Sequence, residues 1–215
     1  SSYASYFDID WHPVNPQLEN KVLLPILEDQ YGNVLEESKL RLAYEDGAFF
    51  IYYYENKLPL TPRSYSSILE HRLDRLAETL GKDNESLQEL QSILTAISYL
   101  PGRTESDPEK LEERNREKEI IKRRIAALVQ GSPPVRVAID ATLQEFNGTV
   151  GESPSFDLLD RLIEAQSYRL AFWRVAGEEI NYRRFFDINE LAAIRMELPE
   201  VFQATHQLIL RFLAE

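Results

Sequence analysis

The sequence predicts a mainly α protein of the α+β class, a helical bundle subdomain carrying a small antiparallel β-hairpin. Three observations predict it. Aromatic residues are unevenly spread: residues 1–65 hold twelve of the 23, residues 66–145 hold only Tyr99, and residues 146–215 hold ten. The aromatic-poor middle is built from Leu, Ile, Ala, Glu, Lys and Arg, which is helix-bundle composition. Apolar residues there recur every three or four positions, the spacing of one helix face. The third observation is a hairpin signal, Leu40–Tyr44 and Ala48–Tyr54 flanking Glu45-Asp46-Gly47.

In chain order, a Phe7-Asp8-Ile9-Asp10-Trp11 run leads into Pro13 and Pro16 and reads as irregular. Lys21 to Leu27 is apolar but interrupted by Pro25, so it reads as an edge strand at best. Tyr31-Gly32-Asn33 reads as a turn before the hairpin. Leu69, Leu73, Leu76 and Leu80 then predict a helix capped by Gly81. Leu87, Leu90, Ile93, Leu94 and Ile97 predict a second, stopped by Pro101-Gly102. Pro108 opens a third, with Ile121, Ile125 and Leu128 on one side and Gly131 beyond. Glu112 and Arg116, and Glu119 and Arg123, stand four apart at the helical spacing that allows pairing along its exposed side, and Lys122-Arg123-Arg124 reads as solvated helix surface. Two further helices are expected after Pro133-Pro134 and across Ser155–Gln166, joined by a Gly148/Gly151 loop, with Ser153 and Ser155 as candidate N-caps. A last helix starts at Pro199 with the stripe Phe202, Thr205, Ile209 and Phe212. The expected organisation is therefore 1–65 as an aromatic-rich irregular and hairpin segment, 66–167 as a helical insertion, and 168–215 as a return segment and helix.

Composition narrows the function. Of 215 residues, 43% are hydrophobic and 28% charged, which is globular rather than disordered. A net charge of −12 disfavours nucleic acid and anionic membrane as partners. The absence of cysteine excludes disulfides, thiolate metal sites and cysteine nucleophiles, and fits the cytoplasm. No apolar run approaches the roughly 18 residues of a membrane span. The chain opens Ser-Ser-Tyr, with neither an initiator Met nor a signal-peptide pattern, as expected of a piece cut from a longer protein.

Tyr168 to Arg195 is the stretch with the richest chemistry. Tyr168, Phe172, Trp173, Tyr182, Phe185 and Phe186 stand beside Arg169, Arg174, Arg183, Arg184 and Arg195, with Glu178, Glu179, Asp187, Asn189 and Glu190 among them. No single period orders Asn181–Asn189. Aromatic faces cover the CH faces of a pyranose, while planar amide, carboxylate and guanidinium groups bond its hydroxyls, so this mixture suits a sugar site. The same mixture also suits buried rings with arginine–carboxylate pairs, and composition alone favours that blander reading. His12, His71 and His206 lie far apart without metal-ligand spacing, and Asp8 and Asp10 form a lone D-x-D of little weight. There is no glycine-rich phosphate loop and no G-x-S-x-G elbow.

The runs Tyr168-Arg169-Leu170-Ala171-Phe172-Trp173-Arg174 and Glu179-Ile180-Asn181-Tyr182-Arg183-Arg184-Phe185-Phe186-Asp187-Ile188-Asn189-Glu190-Leu191-Ala192 resemble maltooligosyl trehalose synthases of the α-amylase superfamily. So do Tyr3–Trp11, Lys21–Leu27 and Lys57-Leu58-Pro59-Leu60, in the same order. The resemblance implies a (β/α)-barrel enzyme, an intramolecular transglycosylase that converts the reducing-end α-1,4 linkage of a maltooligosaccharide into an α,α-1,1 linkage. It implies that this chain is an internal fragment, the domain-B-like insertion after barrel strand three plus barrel helix three. The nucleophile, the general acid and the stabilising aspartate would all follow Glu215, so no catalytic residue is expected here. Phe186-Asp187-Ile188-Asn189 resembles the superfamily's Pro-Asp-Leu-Asn segment, with Phe186 at the proline. Trp173, Arg174, Tyr182, Arg183, Arg184, Asp187 and Asn189 would wall the substrate side of the cleft, with no cofactor and no metal. The implied partners are the maltooligosaccharide, the rest of the barrel and, through Phe202, Ile209 and Phe212, a second copy of the chain. The rival reading from another class is a free-standing acidic helical module for protein interaction or carbohydrate binding.

Overall fold

The computed structural model describes residues 3–102, 104, 105 and 107–214. Strand β1 (Val22–Leu27) alternates half-buried and buried side chains, and helix α1 (Tyr31–Glu36) follows it. That helix replaces the turn expected at Tyr31-Gly32-Asn33. Val34 and Leu35 bury completely or nearly so, and Asp29 accepts from the Gln30 amide and the Asn33 side chain. Burying two aliphatic side chains outweighs the roughly 1 kcal/mol cost of a helical glycine.

Strands β2 (Leu40–Glu45), β3 (Ala48–Tyr53) and β4 (Asn56–Pro59) form an antiparallel meander, so the expected hairpin has a third strand. Asp46 (φ 46°) and Gly47 (φ 82°) make its first turn with both central residues left-handed, the geometry that favours Asp-Gly. Phe49, Ile51 and Tyr53 point into the core, while Phe50 and Tyr52 point out.

Helices α2 (Tyr65–Leu69), α3 (Leu73–Leu80), α4 (Glu85–Ser98), α5 (Pro108–Gly131), α6 (Pro133–Phe146) and α7 (Asp157–Glu164) pack around the inner face of the meander. Leu76, Leu87, Leu90, Ile93, Ile97, Ile121, Ile125 and Leu128 are buried, as the periodicity predicts. The Leu69–Leu80 stripe is broken at Glu70–Arg72, where the chain turns His71 and Arg72 towards Glu145 at the end of α6. Asn84 and Asp107 cap α4 and α5 through the amides of Ser86 and Glu109. The Glu112–Arg116 and Glu119–Arg123 pairs do not form: Arg116 pairs with Glu117, Glu119 with Lys122, and Arg123 bonds the Glu119 carbonyl. Ser153 and Ser155 are not N-caps either. Ser153 donates to Glu36, and Ser155 closes the Gly148/Gly151 loop through Thr149 and Glu152. A Cβ on Gly47 would lie 1.9 Å from the Lys122 carbonyl oxygen, so only glycine lets the meander turn sit against α5.

Strand β5 (Tyr168–Phe172) returns beside β1 in parallel register, Val22 opposite Tyr168 and Leu24 opposite Leu170. The register shifts before Leu27 meets Phe172, across Pro25, which has no amide to donate. Among the described residues no further strand joins this pair, so Pro25 stands on an edge strand as expected. Then come α8 (Ala176–Glu179), the hairpin β6 (Arg184–Phe185) and β7 (Ile188–Ala192), and α9 (Pro199–Ala214). The second hairpin and the parallel pair go beyond the single hairpin that the sequence predicts. The result is mixed α+β with helix predominant. No helix among the described residues is long and apolar enough to cross a membrane.

Three carboxamides stitch the connections. Asn147 accepts from the Leu42 amide at 2.7 Å and donates to the Leu42 carbonyl at 3.0 Å, occupying the outer edge of β2 as a neighbouring strand would. Buried Gln166 accepts from Thr61 and donates to Leu162 and Ser64. Asn181 serves the terminal layer.

Candidate functional site

The two ends of the chain interleave. The Phe7–Asp10 backbone bonds both to residues 181–183 and to residues 193–195. Asp8 donates to the Ala193 carbonyl, Arg183 to Asp8, Asp10 to Asn181 and Arg195 to Tyr6. Local sequence offers no period for this layer because its partners come from the opposite end of the chain. Its organisation is main-chain bonding, completed by Asn181. That side chain is buried, accepts from the Leu23 amide at 2.9 Å, and donates to the carbonyls of Asp10 (2.7 Å) and Lys21 (2.8 Å).

Beside the pairing of Phe7–Asp10 with residues 181–183 lies a cleft of about 610 Å³. One wall is Asp8, Asp10, Pro13, Val14, Asn15 and Leu18; the other runs from Glu178 to Arg183. Asn15 turns the first wall by capping the Gln17 amide ahead of Pro16. Four carboxylates face one guanidinium, and that guanidinium is engaged: Arg183 Nε lies 2.8 Å from Asp8 Oδ2. Asp10 accepts from the His12 amide. An acidic, oxygen-rich cleft of this kind offers acceptors to hydroxyl groups and repels phosphates.

Of the seven residues singled out for a sugar wall, Tyr182 and Arg183 line this cleft and the other five lie off it. Tyr182 is buried, its phenol donates to the Asn189 carbonyl at 2.6 Å, and burial pushes its pKa up. Arg184 bonds the side chains of Asn189 and Asp187, which ties the β6–β7 hairpin to itself. Asp187 is at the hairpin tip with its side chain 99% exposed, beside Phe186 at φ 53°. The Phe186-Asp187-Ile188-Asn189 segment is thus a two-residue turn entering β7. Trp173 is exposed, and Arg174 stacks over both the Phe172 and Trp173 rings at 5.5 and 5.3 Å.

The histidines are placed separately, His12 against Glu19, His71 against Glu145 and His206 stacked on Phe202. Among the described residues, no three His, Cys, Asp or Glu side chains gather as a metal site. Sequence reasoning missed the Pro13–Leu18 wall and Asn181. The Asn15-Pro16 dipeptide is a local turn signal for the first, whereas nothing local marks the second.

No family model matches the chain, and no curated protein matches it. Solved structures do resemble it. A glycosyltrehalose synthase is 22% identical with a TM-score of 0.42, covering 97% of this chain and 17% of its own. A maltooligosyl trehalose synthase is 19% identical with a TM-score of 0.46, covering 98% of this chain and 15% of its own. A point variant of maltooligosyltrehalose synthase from Arthrobacter ramosus is 23% identical with a TM-score of 0.44, covering 100% and 15%. The chain therefore spans between 15% and 17% of the length of these proteins.

Proposed function

We propose that this chain supplies one wall of the substrate cleft in a longer intramolecular transglycosylase of the maltooligosyl trehalose synthase type. That enzyme would turn the reducing-end α-1,4 linkage of a maltooligosaccharide into the α,α-1,1 linkage of a maltooligosyl trehalose. One observation carries the reading. Segments with the sequence resemblance from opposite ends of the chain pair with one another, Lys21–Leu27 with Tyr168–Phe172, and Ile9 with Tyr182 beside one cleft. Tyr182 and Arg183, which line this cleft, would position the reducing-end glucose while it turns to present its anomeric hydroxyl, and the resemblance adds Trp173, Arg174, Arg184, Asp187 and Asn189, which lie off it.

Retaining transglycosylation needs a nucleophile and an acid/base carboxylate about 5 Å apart, and on this reading both come from outside the chain. Positioning groups accelerate such a reaction only when the reacting pair is present. The test is to express the reading frame that contains this chain and incubate the product with maltopentaose. Reducing ends should disappear without release of glucose. An unchanged count of reducing ends overturns the reading. The 215-residue chain alone should leave maltopentaose untouched. Loss of reducing ends by it, abolished in Asp187→Ala or Glu179→Ala, would place the catalytic centre here instead.

A further inference from the structure

We infer that Asn181 is the positioning residue of the cleft, fixing the separation of its two acidic walls; this deepens the reading above and rests on it for its functional meaning. Asn181 lies in the wall that carries Glu178 and Glu179, two residues beyond the end of α8. Its carboxamide makes no bond within its own wall. Instead it reaches the Asp10 carbonyl in the opposite wall, and the Lys21 carbonyl and Leu23 amide where β1 begins. The main chain joins the walls at two further points, the Asp10 amide donating to the Asn181 carbonyl at 2.7 Å and the Arg183 amide to the Asp8 carbonyl at 2.9 Å.

One buried side chain thus references both walls to the same strand. Apart from that main-chain bridge and the buried Leu18 and Tyr182, side-chain burial does little to hold either wall. In the first, Asp8, Asp10, Pro13, Val14 and Asn15 are not buried, and in the second Glu178, Glu179 and Arg183 are not. Among the described residues the exposed Asp8–Arg183 ion pair is the other side-chain link across the cleft, and pairs in that setting contribute little. A buried carboxamide whose acceptor and both donors are engaged, by contrast, fixes distance and orientation together.

Only an amide satisfies this arrangement. An ionised carboxylate at position 181 would still accept from Leu23 but would face two carbonyl oxygens with no proton to offer. A protonated one would recover one of the two lost bonds. The geometry of an Asn181→Asp chain should therefore respond to pH beyond any response of the wild type.

Because the protein has no cysteine, Val14→Cys and Glu178→Cys give a unique pair of spin-label sites, one on each wall. Pulsed dipolar spectroscopy should show one narrow distance distribution in the otherwise wild-type chain. Asn181→Ala should shift it outward and broaden it while far-UV circular dichroism stays unchanged. Asn181→Asp should be broad at neutral pH and narrow reversibly on acidification, an effect a general loss of packing does not produce and one that remains readable if the alanine variant folds poorly. A distribution unmoved by Asn181→Ala, or an Asn181→Asp chain indifferent to pH, overturns the inference. This readout is independent of sugar, so it can fail while the reducing-end assay succeeds, and the reverse.

Discussion

Phe49 and Phe186 are the same residue type put to opposite uses. Phe49 is wholly buried, with the Tyr44 and Tyr65 rings 5.3 and 5.0 Å away and its amide donating to the Tyr65 hydroxyl. Phe186 is 80% exposed on a left-handed turn. The contrast extends to the regions around them. From β1 to β5, aromatic and aliphatic side chains fill one core, and burial pushes the Tyr65 phenol up to about 12. Beyond β5 the large apolar side chains mostly face outward, including Trp173, Phe185, Leu191, Ile209 and Phe212. The first region is organised by burial. The second is organised by main-chain bonds and carboxamides, which order a surface without covering it.

The most direct way to break this comparison is to truncate one ring in each region. Phe49→Ala should cost about 3–5 kcal/mol in urea denaturation, because it removes a full aromatic side chain and leaves a cavity. A cost below about 1 kcal/mol would show that the meander core is loose. Asn147→Ala tests whether carboxamides also matter where burial rules. It strands the Leu42 amide and carbonyl at the β2 edge and should cost about 1–3 kcal/mol, with amide exchange at Leu42 accelerated. In the terminal layer the sign should reverse. Phe186→Gly relieves a left-handed non-glycine residue and should raise stability by about 0.5–1 kcal/mol in thermal melts. A marked loss instead would mean that the Phe186 ring is packed in solution.

The smallest expected effect is electrostatic and belongs to the bundle. Arg72, and after it His71, hold Glu145 below its ordinary value of 4.5. A depressed carboxylate stabilises the fold above its unfolded pKa, and that contribution is lost as pH falls through the lowered folded value. Glu145→Gln should therefore flatten the acid limb of a stability–pH curve below about pH 4.5 and leave the neutral plateau slightly lower. An acid limb identical to wild type would remove this cluster from the account.

The same division explains what the sequence made legible. Leu87, Leu90, Ile93 and Ile97 bury because a helical period and a core coincide, and Asp46-Gly47 turns because few other pairs tolerate two left-handed residues. The α2–α3 break was hidden because Leu69 and Leu73 keep helical spacing across it, and its cause, Glu145, lies more than 70 positions away. The α1 helix was hidden for a similar reason, since Gly32 signals a turn while Val34 and Leu35 answer to a distant core. At the candidate site, residue types were informative and placement was not. Tyr182 and Arg183 reach the cleft, whereas Arg184, Asp187 and Asn189 bond to one another within a hairpin that no period announced. Asn181 could not be found at all from its neighbours, because its three partners lie some 160–170 positions earlier in the chain.

The parallel pairing of β1 with β5 also sets an order of events during folding. Its strands are separated by nearly the whole meander and bundle, and closing so long a loop unaided is slow and entropically unfavourable. The meander and the α4–α5 pair involve near neighbours and can form first, shortening the effective loop to the few residues left at its ends. Closure of β1 onto β5 then becomes a late step, and the Phe7–Asp10 segment can insert only after it. The terminal layer would be the last part of the molecule to assemble and the first to open, so native-state hydrogen exchange should release the amides of Asp8 and Asp10 well before those of β3.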